Sequence, residues 1–304
     1  MRKQVLFILS LFLAINLHAE NKFVIEGRVA NVPDGLIVEL LCNEDNVGML
    51  VASDTLRNGK FRFEEETSGN GTDWMFLTAR TENYYSMILY LWVRPGSSIR
   101  ISADNLLVYT WNVESDVPEQ QTRSKILASS RDLWNEYQIL DGDYDSLRSR
   151  IKSGKYSGEE KKRQKARLDS MKQAKSMLQD RISAVELEAM AKLDVDQAWM
   201  LNYVNTAYMV NISKNKDNME KAKALYAYIP DVWRDSYSGR EAKNVLFPQH
   251  VVEVGEEAAD ADLYDIDGKL WHLSDFRGRY VLIDFWSRGC GPCKMAIPEI
   301  KEAA

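Results

Sequence analysis

The hydrophobic period of this chain changes near Pro118, and this change limits the folds that the chain can adopt. Upstream, residues 23–29 alternate apolar and polar side chains, which is typical of a half-buried strand. Asn58-Gly59, between two strand-like runs, predicts a type I′ hairpin turn, because both central residues of that turn take positive φ. Further short runs and turn signals continue to residue 112, so residues 20–112 are predicted to form an all-β sandwich.

Beyond Pro118, apolar residues recur at steps of three and four, the period of an amphipathic helix. Ser157 with Glu160 matches a capping box before a long helix, and Asp196 is placed to cap another. The polar, glycine-containing residues 141–156 are expected to form a loop. Residues 113–250 are therefore predicted to be a helical region, and their sequence contains no recognisable catalytic constellation.

A group of aromatic residues follows the strands and reaches the start of the helical region. Aromatic residues at strand spacing usually form core contacts and cross-strand pairs, and we favour that interpretation over a ligand-binding surface. Cys42 lies at the end of an apolar strand and is interpreted as an inert thiol rather than a redox group. The aromatic group consists of Tyr84, Tyr85, Tyr90, Trp92, Tyr109 and Trp111.

Residues 1–19 have the organisation of a signal peptide. Arg2 and Lys3 precede a nearly continuous apolar run, and Ala19 is a small residue suited to cleavage. The run is shorter than the ~20 residues that a membrane-spanning helix needs, which disfavours an uncleaved anchor. We therefore expect export to the periplasm or cell envelope, an oxidising space, with no stable membrane span after cleavage.

The charge balance and the residue counts disfavour several classes of protein. Lys and Arg total 39 against 45 Asp and Glu, a net charge of −6, so there is no basic surplus for nucleic-acid binding. Three cysteines are too few for a disulfide-stapled scaffold. Three histidines leave little material for a His-rich metal site.

From residue 251 the pattern changes again. Asp267-Gly268 predicts another hairpin, and residues 280–286 form a near-continuous apolar run, which favours a strand buried on both faces, as in a parallel sheet. Residues 290–293 read Cys-Gly-Pro-Cys, and residues 292–304 have a helical pattern. The two cysteines would therefore lie between a buried strand and a helix.

This placement favours redox chemistry at Cys290 and Cys293. Residues three apart share a helix face, so the two sulfurs can meet without backbone movement. Free N–H groups and the helix dipole stabilise a thiolate at Cys290, and Lys294 adds positive charge nearby. A zinc site would need a second ligand pair, and a structural disulfide closing so short a loop would contribute little stability.

Together these residues resemble a known family. Residues 281–286, the Cys-Gly-Pro-Cys turn and Ile297-Pro298-Glu299 resemble the active-site region of thioredoxins, and residues 268–278 resemble the lead-in of exported TlpA/ResA-type thiol-disulfide oxidoreductases. The resemblance covers about residues 254–304. More weakly, the order of sandwich, helical segment and thioredoxin domain resembles a large group of exported bacterial oxidoreductases.

The resemblance implies a role for each matching residue. Cys290 aligns with the nucleophile, and Cys293 with the resolving thiol. Asp284 aligns with a buried carboxylate that assists proton removal from the resolving thiol, and Trp286 with a wall of the site. Ordinary packing for Trp286 and a solvent-facing position for Asp284 are the alternatives. The predicted supporting residues are Asp284, Trp286, Gly291, Pro292 and Lys294.

The sequence departs from the family pattern in two ways. Gly289, preceded by Arg288, stands where the family commonly has Trp, which changes the surface beside the nucleophile. The family's sheet also continues past the active-site helix to a cis-proline loop, for which no residues here match. We therefore expect residues 251–304 to be the N-terminal part of a thioredoxin-like α/β domain, and the chain to be a fragment.

The sequence thus predicts a multidomain protein: a signal peptide, an all-β sandwich, a helical region and a partial thioredoxin-like fold. The predicted function is disulfide exchange with envelope proteins, more as a reductant than as an oxidant. No cofactor or metal is expected, and the electron donor would be a membrane protein or another thioredoxin-like protein. The alternatives are a non-catalytic envelope binding protein with an inactive thioredoxin remnant and, more weakly, a peroxiredoxin-like peroxidase.

Overall fold

The computed structural model describes residues 21–44, 47–81, 84–248, 252–287 and 290–303. The predicted signal peptide and the predicted departure at Arg288 and Gly289 lie outside these ranges. The described residues 21–44 and 48–246 form one compact unit, and the described residues from Phe247 onward belong to another. In the described ranges, the helices are too short or too polar to cross a membrane.

Two sheets make up the N-terminal half of the first unit, which confirms the predicted sheet-rich region. In one sheet the strand order is β4-β1-β8-β9, with β1 and β8 parallel. In the other the order is β3-β2-β5-β6, with β7 also paired to β5. The strands are β1 (Lys22–Val29), β2 (Ile37–Glu44), β3 (Val47–Thr55), β4 (Lys60–Glu66), β5 (Asp73–Thr81), β6 (Tyr84–Tyr85), β7 (Leu89–Val93), β8 (Ser98–Ala103) and β9 (Asn112–Ser115).

Buried side chains from both sheets form a single hydrophobic core. Phe23 and Ile25 of β1 alternate with exposed or half-buried neighbours, as the period-two pattern predicts. Leu77 of β5 and Leu91 of β7 enter the same core from the other sheet. The inward residues of β1 are thus the ones that the apolar alternation indicated.

The Asn58-Gly59 turn has the predicted backbone, but the hairpin prediction is wrong in one respect. Asn58 and Gly59 take φ values of 49° and 66°, and Arg57 and Lys60 form the expected bridge. The strands then separate, because β3 belongs to one sheet and β4 to the other. Leu56 is fully buried between them, so the turn carries the chain across the core.

The residues after Pro118 are helical, as predicted. The loop predicted at residues 141–156 is wrong for residues 141–152, because α1 continues to Lys152, and right for residues 153–156, which connect α1 to α2. Leu147 is buried and Asp141 pairs with Lys175 of α2, so this polar segment is held against its neighbour. The helices are α1 (Pro118–Lys152), α2 (Gly158–Met190), α3 (Gln197–Ser213), α4 (Lys216–Tyr226), α5 (Asp231–Arg234) and α6 (Tyr237–Leu246).

Both predicted N-cap residues stand at the start of a helix, but only one of them makes a capping hydrogen bond. Asp196 caps α3 by accepting a hydrogen bond of 2.7 Å from the Trp199 amide. Ser157 stands at the N-cap of α2, but its side chain makes no capping hydrogen bond. The helical prediction was therefore right at both positions, and the capping-box prediction was wrong at Ser157.

The sheets and helices of the first unit share buried contacts. The Gln120 side chain of α1 accepts a hydrogen bond of 2.9 Å from the Trp92 amide of β7. The Gln138 side chain accepts one of 3.1 Å from the Tyr109 amide, in a short 3₁₀ turn (Val108–Thr110). The sheet-rich and helical regions thus pack as one unit, while the exact boundaries at residues 112 and 250 stay predictions.

The second unit contains both short strands and helical elements. The predicted Asp267-Gly268 hairpin is confirmed by β10 (Leu263–Tyr264) and β11 (Leu270–Trp271), which pair antiparallel around Gly268 at φ 77°. A 3₁₀ turn (Leu273–Phe276) follows, and α7 (Gly291–Ala303) confirms the predicted C-terminal helix. This unit therefore carries the short elements that flank the two cysteines.

The strand predicted at residues 280–286 is wrong. These residues make no ladder with any described strand, and Ile283 and Phe285 are 51% and 88% exposed. A strand that is apolar on both faces needs neighbours for its side chains and its backbone groups. Because the described residues supply none, the segment stays irregular and exposed.

Candidate active site

Cys290 and Cys293 lie at the start of α7 and form a disulfide, with their Cα atoms 5.3 Å apart. Cys290 comes directly before Gly291, the first residue of the helix. The Cys290 carbonyl accepts a hydrogen bond of 3.1 Å from the Lys294 amide, which begins the helical ladder. The helical spacing thus brings the sulfurs together, as the sequence predicted.

The sulfur of Cys290 also acts as a cap for the helix. The Cys293 amide donates a hydrogen bond to Sγ of Cys290 over 3.2 Å. The amide is available for this bond because, in the first turn, no earlier helical carbonyl can accept from it. The same amide and the positive end of the helix would stabilise negative charge on Cys290 after reduction. This geometry suits a thiol that attacks as a thiolate.

Both cysteines are half-buried, and their nearest helical neighbours are exposed. Gly291, Pro292 and Lys294 all face solvent, so the approach to the disulfide from this side is open. Pro292 stands in the first turn, where a missing N–H costs no helical hydrogen bond. An open approach is what exchange with a protein disulfide requires.

Asp284 and Trp286 lie on the irregular segment before the cysteines. The burial expected for Asp284 is wrong, because its side chain is exposed where no neighbouring strand covers it. Trp286 is 63% exposed. The segment still reaches the site, since Sγ of Cys293 lies 3.9 Å from the carbonyl oxygen of Phe285. The structure therefore brings the cysteines together without covering them.

Two aspartates order the lead-in hairpin, and their roles were not predicted. Asp265 accepts hydrogen bonds from the Lys269 amide at 2.9 Å and from the Trp271 indole at 2.9 Å, and these bonds hold its pKa below the usual range. Asp260 accepts a bond of 3.1 Å from the Ser274 amide, and hydrogen bonds from Ser274 lower its pKa. The Asp-x-x-Gly spacing before Gly268 was an available signal for Asp265.

Across the described residues, His, Cys, Asp and Glu side chains form no group of three that could hold a metal ion. Cys42, which has no disulfide partner, is half-buried in β2 of the first unit. Its position is that of an ordinary strand residue.

The C-terminal segment is similar to proteins of one redox class. Residues 254–304 match the AhpC/TSA family, a thioredoxin-like domain family. Together with the names of the relatives below, this match supports a thiol-disulfide oxidoreductase in general terms.

The relatives are individual thiol-disulfide oxidoreductases and a thioredoxin-like protein. ResA of Bacillus thuringiensis subsp. konkukian is 37% identical over 51 residues, which cover 17% of this chain and 30% of ResA. ResA of Geobacillus thermodenitrificans is 36% identical over 59 residues, covering 19% and 34%. The thioredoxin-like protein YneN of Bacillus subtilis is 31% identical over 51 residues, covering 17% and 30%.

The chain spans about a third of the length of the curated relatives it matches. The family match over residues 254–304 lies within the second unit and includes both cysteines. No solved structure matches the chain. The similarity therefore concerns the redox segment and does not extend to the sheets and helices of the first unit.

Proposed function

We propose that this protein is an exported thiol-disulfide oxidoreductase that exchanges disulfides with envelope proteins. The observation that carries the proposal is the Cys290–Cys293 disulfide at the start of α7, where the Cys293 amide bonds to Sγ of Cys290. The predicted signal peptide and the similarity to ResA proteins support an envelope location.

The exchange proceeds in two balanced steps. In the reduced protein, the Cys290 thiolate attacks a substrate disulfide, forms a mixed disulfide and releases one substrate thiolate. The Cys293 thiol then loses its proton and attacks the sulfur of Cys290. This second step releases the other substrate thiolate, and protonation of both gives the reduced substrate. The two electrons come from the Cys290–Cys293 pair, which becomes the disulfide.

A second dithiol protein returns the site to the reduced state by the reverse exchange. This donor would be a membrane protein or another thioredoxin-like protein, and no diffusible cofactor is required. Asp284 is proposed to accept the Cys293 proton, and Trp286 to form a wall beside the substrate. Both roles require residues 281–286 to be covered by neighbouring strands.

Trapping of mixed disulfides tests the proposal. The full chain with Cys293→Ala should accumulate envelope proteins attached to Cys290, because the resolving thiol is missing. The adducts should disappear on reduction, persist in Cys42→Ala/Cys293→Ala and vanish in Cys290→Ala/Cys293→Ala. If the adducts do not depend on Cys290, the exchange mechanism is wrong.

The direction of exchange is a separate part of the proposal. A reductant should equilibrate with redox buffers nearer to thioredoxin, at about −270 mV, than to the strong periplasmic oxidant at about −120 mV. Thiol alkylation followed by mass spectrometry measures the reduced fraction of Cys290 and Cys293 directly. A potential near the oxidising value would assign the opposite direction.

The exposed state of residues 281–286 favours a second candidate, a non-catalytic envelope binding protein. In this case the first unit binds a partner and the redox segment is inactive. Limited proteolysis separates the two candidates. Rapid trimming near residue 250 would support the binding protein, and a protected C-terminal segment would support the oxidoreductase.

A further inference from the structure

A cavity of about 330 Å³ lies within the first unit, between β7 and the helices α1, α2 and α3. Five aromatic residues contribute to its walls, beside polar and aliphatic ones. Three of these aromatic residues belong to the group that the sequence assigned to core packing. The aromatic lining residues are Tyr90, Trp92, Tyr109, Trp134 and Tyr137.

Arg123 of α1 lines this cavity and is only 3% exposed. Its Nη1 donates a hydrogen bond of 2.7 Å to Oδ1 of Asn202 on α3. Its Cζ lies 5.2 Å from the ring centroid of Tyr109 and 5.8 Å from that of Tyr90. The guanidinium is therefore held between two aromatic rings and an amide.

Arg123 has no carboxylate partner within ion-pair distance among the described residues. A guanidinium carries five N–H donors, and a buried cation is costly unless it is paired and hydrogen-bonded. Cation–π contacts, the Asn202 amide and a side-chain hydrogen bond with Tyr109 leave several of the five donors unused and offset only part of that cost. The residue is thus a buried cation with unused donors beside a cavity.

Glu186 of α2 also lines the cavity, but its hydrogen bonds are made to side chains other than Arg123. Its Oε1 accepts hydrogen bonds of 2.7 Å from the Ser130 hydroxyl and 2.7 Å from the Trp134 indole. Its charge acts on Arg123 only through space and, together with the two tyrosines, raises the pKa of Arg123. Glu186 therefore stabilises the cation without occupying its donors.

Trp92 also lines the cavity and is 1% exposed. Its indole Nε1 is buried and has no hydrogen-bond partner among the described residues. Because that atom has no accessible surface, the donors that remain for a ligand are those of Arg123.

The rim of the cavity is open to solvent. Asn205 of α3 is exposed, and Met209, one turn later, is 37% exposed. Gln179 of α2 reaches across to Met209, with Nε2 3.6 Å from Sδ. Methionine is flexible and adapts its shape, so this rim can admit a small molecule to the buried floor.

We propose that this cavity binds a small organic carboxylate with an aromatic or apolar body, whose carboxylate pairs with Arg123. A planar carboxylate matches the fork of a guanidinium, and the aromatic walls accept an apolar body. Glu186 lies near Arg123 and repels any anion that pairs with Arg123. A carboxylate with a single negative charge meets less of this repulsion than a phosphate dianion does. The volume is within the range of small-molecule pockets, about 300–1,000 Å³.

Three matched probes test the proposal on the full chain: 4-phenylbutyrate, 4-phenylbutan-1-ol and 4-phenylbutylamine. They share one apolar body and differ in the charged or neutral end group. Isothermal titration and tryptophan fluorescence should show the acid binding at least about ten-fold more tightly than the alcohol, and the amine binding weakest. Equal affinities, or no saturable binding of any probe up to about 5 mM, would overturn the proposal.

Variants locate the binding. Arg123→Gln should remove the preference for the acid. The control Arg181→Gln should keep it, since Arg181 is an exposed residue of α2 that pairs with Glu136 outside the cavity. Because Arg123→Gln removes a buried group and can impair folding, Asn205→Trp provides a second test. This change fills the exposed rim and should abolish binding while the protein stays folded by circular dichroism; unchanged binding in Asn205→Trp would overturn the assignment.

Discussion

The backbone amide of Cys293 donates its hydrogen bond to the sulfur of Cys290, across 3.2 Å at the first turn of α7. A side-chain acceptor at this position normally is an oxygen of Ser, Thr, Asp or Asn. Here the acceptor is also the atom that must carry negative charge in a thiol exchange. Helix capping and thiolate stabilisation are therefore the same interaction at Cys290.

The first prediction concerns the reactivity of Cys290. Reduced Cys290 should react with iodoacetamide at pH 7 at least about ten-fold faster than Cys42, because the helix start increases its thiolate fraction. The comparison uses Cys42→Ala/Cys293→Ala, which leaves Cys290, and Cys290→Ala/Cys293→Ala, which leaves Cys42. Mass spectrometry gives both rates, and equal rates would argue against activation by the helix.

The second prediction concerns the turn that carries the chain between the two sheets. Gly59 takes φ 66°, and a Cβ there would lie 2.5 Å from the carbonyl oxygen of Val29. Gly59→Ala should lower the free energy of unfolding by about 1–3 kcal/mol. The control Gly71→Ala, where a Cβ meets nothing within 4 Å, should change it little. Urea denaturation measures both, and equal effects would contradict the argument.

The third prediction concerns the segment of α1 that was expected to be a loop. Leu147 is 2% exposed, so Leu147→Ala should cost about 2–4 kcal/mol of unfolding free energy. Ile139, in the same helix, is 58% exposed, and Ile139→Ala should cost about 0.5 kcal/mol or less. A negligible effect at Leu147 in urea titrations would mean that residues 141–152 do not pack as a helix.

The fourth prediction is the pH dependence of the lead-in hairpin. Hydrogen bonds lower the pKa of Asp265 and Asp260 in the folded protein, so their contribution is present above the ordinary carboxyl pKa. It is lost as the pH falls through the lowered folded value. Amide exchange at Lys269 and Ser274, corrected for its intrinsic pH dependence, should show protection falling below about pH 4.

A matched variant separates the two aspartates. Asp265→Asn removes the ionised acceptor, so protection at Lys269 should become insensitive to acid while protection at Ser274 keeps its pH dependence. NMR exchange rates for the two amides provide the measurement. A simultaneous loss at both amides would indicate unfolding of the whole hairpin instead.

The sequence predicted the positions of strands, turns and helices better than it predicted which of these elements pack together. The positive φ at Asn58 and Gly59 follows from local sterics, and the Cys290–Cys293 pairing follows from helix geometry. The placement of β3 and β4 in different sheets could not be seen locally, because alternation shows which face is apolar and not which strand pairs with it. The same limit explains residues 141–152, where a polar helical segment is stabilised by its neighbour α2.

The burial of several polar residues of α1 also could not be predicted from the sequence. Gln120, Arg123 and Ser130 are almost fully buried, although their residue types favour the surface. Their hydrogen-bond partners and ring contacts come from β7, α2 and α3, far away in the chain. An arginine that faces aromatic rings is recognisable only once those elements are packed together.

By itself, the sequence determined the sheet-rich and helical halves of the first unit, the two tight turns and the cysteine pair at the start of a helix. Each of these depends on the conformations of a few adjacent residues. Tertiary structure alone decided that residues 281–286 are exposed and that Tyr90, Trp92 and Tyr109 meet Arg123 around a cavity. The reason is physical: burial depends on which distant element covers an apolar face, and that choice is not encoded in the local period.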